Sequence, residues 1–267
     1  MSTSEPLFLE ERRRAILEEL KQRGRVSVKN LSTQMNVSAV TIRQDLRALE
    51  KDGLLERTYG GAVLGLHQGG LSELSFDTRQ LSFREEKRAI GAAAARMVQN
   101  GDAIALDAST TAFAITPYLT ALEDLIVVTN SLVIAQQFVT HPRIDVVMPG
   151  GGLRRDSVSL VGAPETLPDI NLTIGFFGAH GLTLDEGITE ISLEEVIMKQ
   201  AMIDRCQSTV IVADSSKWNK VAPFTYISPQ DVGCVITTAN APRDALQNFR
   251  AAGVEVEAPE VLSDVVG

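Results

Sequence analysis

Five apolar runs in this 267-residue chain each end in residues able to hold an anion or a hydroxyl-bearing ligand. "AIALD" leads into Ser109, Thr110 and Thr111, and "LIVVT" into Asn130 and Ser131. "IDVVMP" leads into Gly150, Gly151 and Gly152, then Arg154 and Arg155. "TIGFFGA" leads into His180 and Gly181, and "STVIVA" into Asp214, Ser215, Ser216 and Lys217. Hydroxyls beside the free amides of a helix start can cradle an anion. Glycines let backbone approach a ligand, and Arg can clamp phosphate or carboxylate. A second constellation stands near the amino end, in "NVSAVTIRQDLRALEKDG". There Arg43, Gln44, Arg47 and Lys51 share one helical face while Ile42, Leu46 and Leu49 share another. Arg suits guanine and Gln suits adenine in the major groove.

Two kinds of scaffold must position these residues. Residues 84–267 alternate short, fully apolar strands with helical patterns over 85–98, 131–139, 192–206 and 242–251. That pattern predicts a mostly parallel α/β sheet covered on both faces. Ligands of such sheets bind outside the carboxyl ends of the strands, where the polar residues collect. Pro117 lies within one helical pattern, so that helix is expected to kink or restart.

Residues 1–61 read as a separate small domain. A first helix covers about 10–23, with Ile16, Leu17 and Leu20 inward and Gly24 as its stop. A second starts near Ser27 or Val28 and carries Val28, Leu31 and Met35. Asn36 and Val37 turn the chain, and Ser38 stands where an N-cap belongs. The third helix runs to about Asp52, and "LLERTYGGAV" then makes a strand and a Gly60-Gly61 tip. This is a winged helix-turn-helix. Ser38 and Thr41 are placed to hold phosphates, and Arg57 and Tyr59 are wing candidates for the DNA backbone or minor groove. Residues 62–83, which include His67, read as a linker.

Charge follows the same division. Residues 10–60 hold 11 Lys or Arg against 8 Asp or Glu, whereas residues 61–267 hold 14 against 25. A basic head on an acidic body suits a protein with one polyanion-binding end. No apolar run is long enough to span a bilayer and no signal-peptide pattern opens the chain, so a cytoplasmic location is expected. Cys206 and Cys234 are too few and too separated for a metal cluster, and are read as small buried side chains. Neither a metal nor a cofactor is expected.

The stretch "RRRAILEELKQRGRVSVKNLSTQMNVSAVTIRQDLRALEKDGLLERTYGGAV" resembles the DNA-binding domain of the DeoR family of bacterial transcriptional regulators. "LDASTT", "VTNS", "GAHGLTLDEGIT", "EVIMKQAM" and "ADSSKW" resemble its sensor domain, similar in fold to ribose-5-phosphate isomerase and the coenzyme A transferases. The resemblance covers nearly the whole chain from about Glu10. It implies a regulator, expected to be a repressor in carbohydrate metabolism, that binds double-stranded operator DNA and a phosphorylated sugar effector. It also implies effector contacts at Asp107, Ser109, Thr110, Thr111, Asn130, Gly151, Gly152, Arg154, Glu195, Lys199, Asp214 and Lys217. Departures from the family pattern are Gln44 for a second Arg, His180 for Asp, Trp218 for Phe and Asn219 for Gly. His180 joins the effector candidates because a neutral imidazole can donate to or accept from a sugar hydroxyl. The alternative is a sugar-phosphate isomerase with an accessory head. Against it, this chain reads "FGAH" where those isomerases carry the acidic loop "DGAD". Helix-turn-helix domains pair on two half-sites, so a homodimer or homotetramer is expected.

Overall fold

The computed structural model describes residues 9–23, 25–51, 55–58, 60–63 and 76–261. Gly24, Gly53, Tyr59 and His67 lie outside the described residues. The chain forms two compact units, residues 1–82 and 83–267.

The first unit holds α1 (Leu9–Arg23), β1 (Arg25–Ser27), α2 (Val28–Gln34), α3 (Ala39–Lys51), β2 (Glu56–Thr58), β3 (Gly61–Val63) and α4 (Phe76–Leu81). Its core is Ile16, Leu20, Val28, Leu31, Met35, Ile42, Leu46, Leu49, Leu55 and Ala62. The period-3.6 stripe of α3 therefore faces α1 and α2 as its sequence requires. Both turn caps form. Ser27 Oγ accepts from the Asn30 amide at 3.1 Å, and Ser38 Oγ from the Thr41 amide at 3.1 Å. The three strands pair antiparallel in the order β1-β3-β2. Gly61 has to be glycine, because a Cβ there would stand 2.0 Å from the Val26 carbonyl oxygen. The stretch expected to be a linker is not all linker. Its end, Phe76–Leu81, is α4, which packs on α1 and buries Phe76.

The second unit holds α5 (Arg84–Ala95), β4 (Ala103–Leu106), α6 (Thr110–Phe113), α7 (Thr116–Leu119), β5 (Leu125–Thr129), α8 (Leu132–Phe138), β6 (Ile144–Val147), β7 (Gly152–Arg154) and β8 (Ser159–Val161). It continues with β9 (Leu172–Gly178), β10 (Gly181–Thr183), β11 (Gly187–Glu190), α9 (Leu193–Ile203), β12 (Cys206–Val212), β13 (Phe224–Ile227), β14 (Cys234–Ile236), α10 (Arg243–Ala251) and β15 (Glu255–Glu257). Seven strands form one parallel sheet in the order β15-β14-β12-β9-β4-β5-β6. Successive side chains feed opposite cores: Ile104, Leu106, Phe176, Val210 and Val212 enter one, Ala105, Phe177 and Ile211 the other. Burial on both faces is why these strands read as unbroken apolar runs. The helix around Pro117 restarts, with Pro117 in the first turn of α7, where its missing N–H breaks no helical bond. A second sheet, β10-β11-β13, is antiparallel, and β7-β8 is a two-stranded ribbon. Among the described residues no helix is long and apolar enough to cross a membrane, and no His, Cys, Asp and Glu cluster could hold a metal ion.

Candidate functional site

In the first unit α3 turns Arg43, Gln44 and Arg47 out to solvent, with Ser38 exposed ahead of them. Ser38 Oγ lies 2.8 Å from Thr41 Oγ1, so the two hydroxyls stand together at the start of the helix. Asp45 does not sit with the bases, although its neighbours suggest it. It is buried against α1, where Arg12 Nε donates to it at 2.6 Å and Arg13 Nε at 3.4 Å. Asp45 is thus taken away from the exposed face. Arg57 faces a partner within the protein: its guanidinium lies 3.5 Å from Glu50. Its amide also donates to Glu50 at 3.2 Å. The pair ties the wing to α3.

In the second unit the strand order places a topological switch point between β4 and β9. Successive connections run one way along the sheet through β5 and β6, and the other way through β12, β14 and β15. The crevice outside such a point is where α/β sheets bind ligands. Asp107 and Ser109 follow β4 there and Gly178 ends β9. A Cβ on Gly178 would lie 2.3 Å from the Ser109 Cβ, so only glycine lets the two strand ends meet.

A buried ion cluster floors the crevice. Lys199, from α9, donates to Asp107 at 2.8 Å, Glu190 at 2.8 Å and the Gly178 carbonyl at 2.6 Å. An ammonium has three N–H groups, and all three are used. Burial alone would lower the Lys199 pKa, but Asp107 and Glu190 outweigh it and hold the pKa well above the ordinary lysine value. Burial would likewise raise Glu190. Lys199 and the bond from His180 reverse the sign and hold that carboxyl well below the usual range. Asp107 accepts the amides of Ser109 at 3.0 Å and Gly178 at 2.8 Å. His180 Nδ1 lies 2.5 Å from Glu190, and the Tyr226 hydroxyl donates to the Gly178 carbonyl at 2.8 Å. Burial keeps that phenol protonated far above its ordinary range.

A second cluster stands one turn earlier on α9. Glu195 accepts from Ser157 at 2.6 Å and Ser159 at 2.9 Å. Arg154 donates to Ser192 at 2.8 Å and lies 3.7–3.9 Å from Asp156, Glu194 and Glu195. Asn130 joins this side, its amide donating to the Leu160 carbonyl at 3.3 Å. Gly151 and Gly152 enter the ribbon beside it. Gly151 has φ 150°, and a Cβ there would be 2.3 Å from the Val161 carbonyl oxygen.

The seat at residues 109–111 is smaller than its sequence suggests. Ser109 caps α6 through the Ala112 amide at 3.0 Å, Thr110 and Thr111 are buried, and α6 is a single turn. Such a helix contributes little macrodipole. Lys217 ends a single 3-10 turn after β12, and Asp214 caps that turn through the Ser216 amide at 3.0 Å. Asn219 takes φ 56°, the left-handed conformation that Asn tolerates best after Gly, so the change from the family's Gly keeps the turn. Trp218 is buried, donating to Thr237 Oγ1 at 2.9 Å.

Sequence reasoning missed Glu190, Tyr226, Glu86 and Lys87. Glu86 is buried and accepts from the Ser215 amide and hydroxyl, Thr238 and Asn240 at 2.8–3.1 Å.

Both units are similar to known proteins. Residues 12–66 match the family model described as the DeoR-like helix-turn-helix domain, and residues 82–239 that of the DeoR C terminal sensor domain. The chain is 33% identical to the putative aga operon transcriptional repressor of Escherichia coli O157:H7, covering 92% of each protein. It is 31% identical to the regulator GolR of Listeria innocua, covering 95% of this chain and all of that one. It is 33% identical to the repressor GlcR of Bacillus subtilis, covering 86% and 89%. A ribose 5-phosphate isomerase from Methanocaldococcus jannaschii is 15% identical, with a TM-score of 0.39 over 51% of this chain and 55% of that one. With family models matched in both units and relatives of this identity along nearly its full length, the chain belongs to the DeoR family of helix-turn-helix transcriptional regulators.

Proposed function

We propose that this protein is a transcriptional repressor of a carbohydrate-metabolism operon whose operator affinity changes when a phosphorylated sugar occupies the crevice at the switch point. The meeting of Asp107, Ser109 and Gly178 at that point carries the reading. A half-buried His180 suits a sugar hydroxyl, while the buried carboxylates of Asp107 and Glu190 hold the strand ends and Lys199 behind it. Ser109 with the first amides of α6 supplies a seat for phosphate, and Lys217 and Arg154 supply cationic charge from neighbouring loops. Asn130, Gly151, Gly152, Thr110, Thr111 and Asp214 shape the walls. Glu195 and Lys199 hold the floor rather than the ligand. On DNA, Arg43, Gln44 and Arg47 read base edges, while Ser38, Thr41, Arg57 and Tyr59 hold the backbone, and two copies engage two half-sites.

Neither Glu190 nor Lys199, which meet at this floor, suits isomerase catalysis. Aldose–ketose isomerisation needs a base with a pKa near the working pH. Glu190 is held far below that range and Lys199 far above it.

The test uses the full chain on a duplex that it selects from a random pool. A panel of sugar phosphates is added, each beside its unphosphorylated parent. A phosphate that shifts the duplex affinity by about 1–3 kcal/mol, the usual size of such coupling, with an inert parent, supports the reading. Parents acting as strongly as their phosphates contradict the phosphate seat. A panel that never alters affinity contradicts the sensor assignment while leaving DNA binding intact.

A further inference from the structure

Glu86 stands in the first turn of α5, the helix the chain enters directly after the first unit ends at Ser82. Its carboxylate collects donors from two distant loops. Oε2 accepts the Ser215 amide at 2.8 Å and Thr238 Oγ1 at 2.8 Å. Oε1 accepts Ser215 Oγ at 2.9 Å and Asn240 Nδ2 at 3.1 Å. Beside it, the buried Lys87 Nζ lies 3.8 Å from Asp214 Oδ2. An ordinary third residue of an exposed helix start is solvated, and its acid serves the helix dipole. Here the acid is buried, and it binds the loops that follow β12 and β14.

Two further observations describe α5 as a lever. It is pinned at Gly91, where a Cβ would lie 2.2 Å from the Ala114 carbonyl oxygen. Its N-cap, Phe83, has φ 53°, and its side chain makes no capping hydrogen bond. A phenylalanine in the left-handed region is a backbone outlier of the kind found at switch points in chains. The clamp lies between this junction and the pin.

We propose that Glu86 is the positioning residue that ties the loop 214–217 to the first turn of α5, so that an event at that loop alters the junction at Phe83 and with it DNA affinity. This rests on the reading above, in which Asp214 and Lys217 border the effector crevice. A ligand that draws the loop inward strains or frees four hydrogen bonds whose acceptor sits three residues from the junction. Coupling of this kind needs one element that both sites bias, and α5 is that element.

The test is made in the full-length protein with Glu86→Ala, which removes every acceptor. Glu86→Gln is its conservative partner: its amide can keep contact because the Ser215 hydroxyl and Asn240 can reorient to accept. Ile236→Val, in the sheet core, controls for lost stability. Hydrogen exchange is followed over residues 84–88 and 214–218, and affinity is measured for a duplex the wild-type chain selects from a random pool. Glu86→Ala is expected to speed exchange in both segments together at least tenfold and to shift duplex affinity at least fivefold. Glu86→Gln should retain most of the protection, and Ile236→Val should change affinity less than twofold. Faster exchange at 214–218 with 84–88 unchanged overturns the proposal, as does a Glu86→Ala affinity within twofold of wild type. Should Glu86→Ala fail to fold, Thr238→Val with Asn240→Ala removes two of the four donors and is read by the same two measures. A wild-type chain that selects no duplex defeats the regulator reading instead, and the exchange measurement still decides whether loop and helix move together.

Discussion

Replacing Lys199 by Met keeps most of the side-chain length but removes the ammonium from the crevice floor. Asp107 and Glu190 are then left buried without the ammonium, Glu190 keeping only its contact with His180, and the Gly178 carbonyl loses a donor at 2.6 Å. Removing one partner of a buried ion pair costs about 3–5 kcal/mol, because the remaining charge is uncompensated. Two carboxylates are stranded here, so the upper part of that range is expected. The chain has a single tryptophan, Trp218, buried in the second unit against Phe249. Its fluorescence therefore reports this unit alone. With a urea slope near 2.5 kcal/mol/M, such a loss moves the midpoint down by about 1–2 M. Lys220→Met, at an exposed position, should stay within about 0.5 kcal/mol. Adding Glu190→Gln to Lys199→Met should recover part of the loss, since one stranded charge is gone. The pH dependence has a defined sign. The folded pKa of Glu190 is depressed, so its stabilisation is present above about pH 4.3 and is lost as pH falls below that value. The folded pKa of Lys199 is raised, so its stabilisation holds below about pH 10.4 and is lost as pH rises further. Lys199→Met should remove its share of both losses. A midpoint within about 0.3 M of wild type would mean that Lys199 is not the pin of this site, and the reasoning from its three contacts fails.

Gly178→Ala should destabilise the second unit by about 1–3 kcal/mol, the usual cost of overpacking, because its Cβ would meet Ser109 at 2.3 Å; the same urea titration measures it. Burial pushes the Cys206 thiol up to about 12 and the Cys234 thiol up to about 11. Iodoacetamide at pH 8 should therefore modify neither within an hour in the native chain, and both after denaturation, as mass spectrometry would record. Asp45→Ala should destabilise the first unit by about 1.5–3 kcal/mol, the worth of hydrogen bonds to a charged group. Helical circular dichroism would fall at lower urea, while the Trp218 transition stays in place.

Much of the fold was legible because local rules agree with the global one. Ser38, the Ile42-Leu46-Leu49 stripe and the Gly60-Gly61 turn all specify the same head, and unbroken apolar runs specify a sheet covered on both sides. The errors are instructive in the same terms. Asp45 has the basic Arg43 and Arg47 for neighbours in sequence. Yet it lies three residues after Ile42 and four before Leu49, so helical periodicity puts it on the buried stripe. The sheet β10-β11-β13 was missed, and with it Glu190 and Tyr226, although Asp185-Glu186-Gly187 carries a hairpin signal and Gly187 has φ 83°. Lys199 was nominated from a motif, but three contacts from three different elements decide its role, and no spacing within α9 encodes them. Glu86 stands in the first turn of a helix, where nothing in its neighbours marks it out. Its partners lie 129–154 residues away, beyond any local pattern.

The central claim, that α3 reads bases through Arg43 and Gln44, is tested most directly by fluorescence anisotropy of the full chain on two duplexes. One is selected from a random pool by the wild-type protein, and the other is a scrambled duplex of equal length and composition. Arg43→Ala and Gln44→Ala should each weaken binding to the selected duplex by about 1–3 kcal/mol, and leave the scrambled duplex nearly unchanged. Equal losses on both duplexes, for both variants, would contradict base reading by this face.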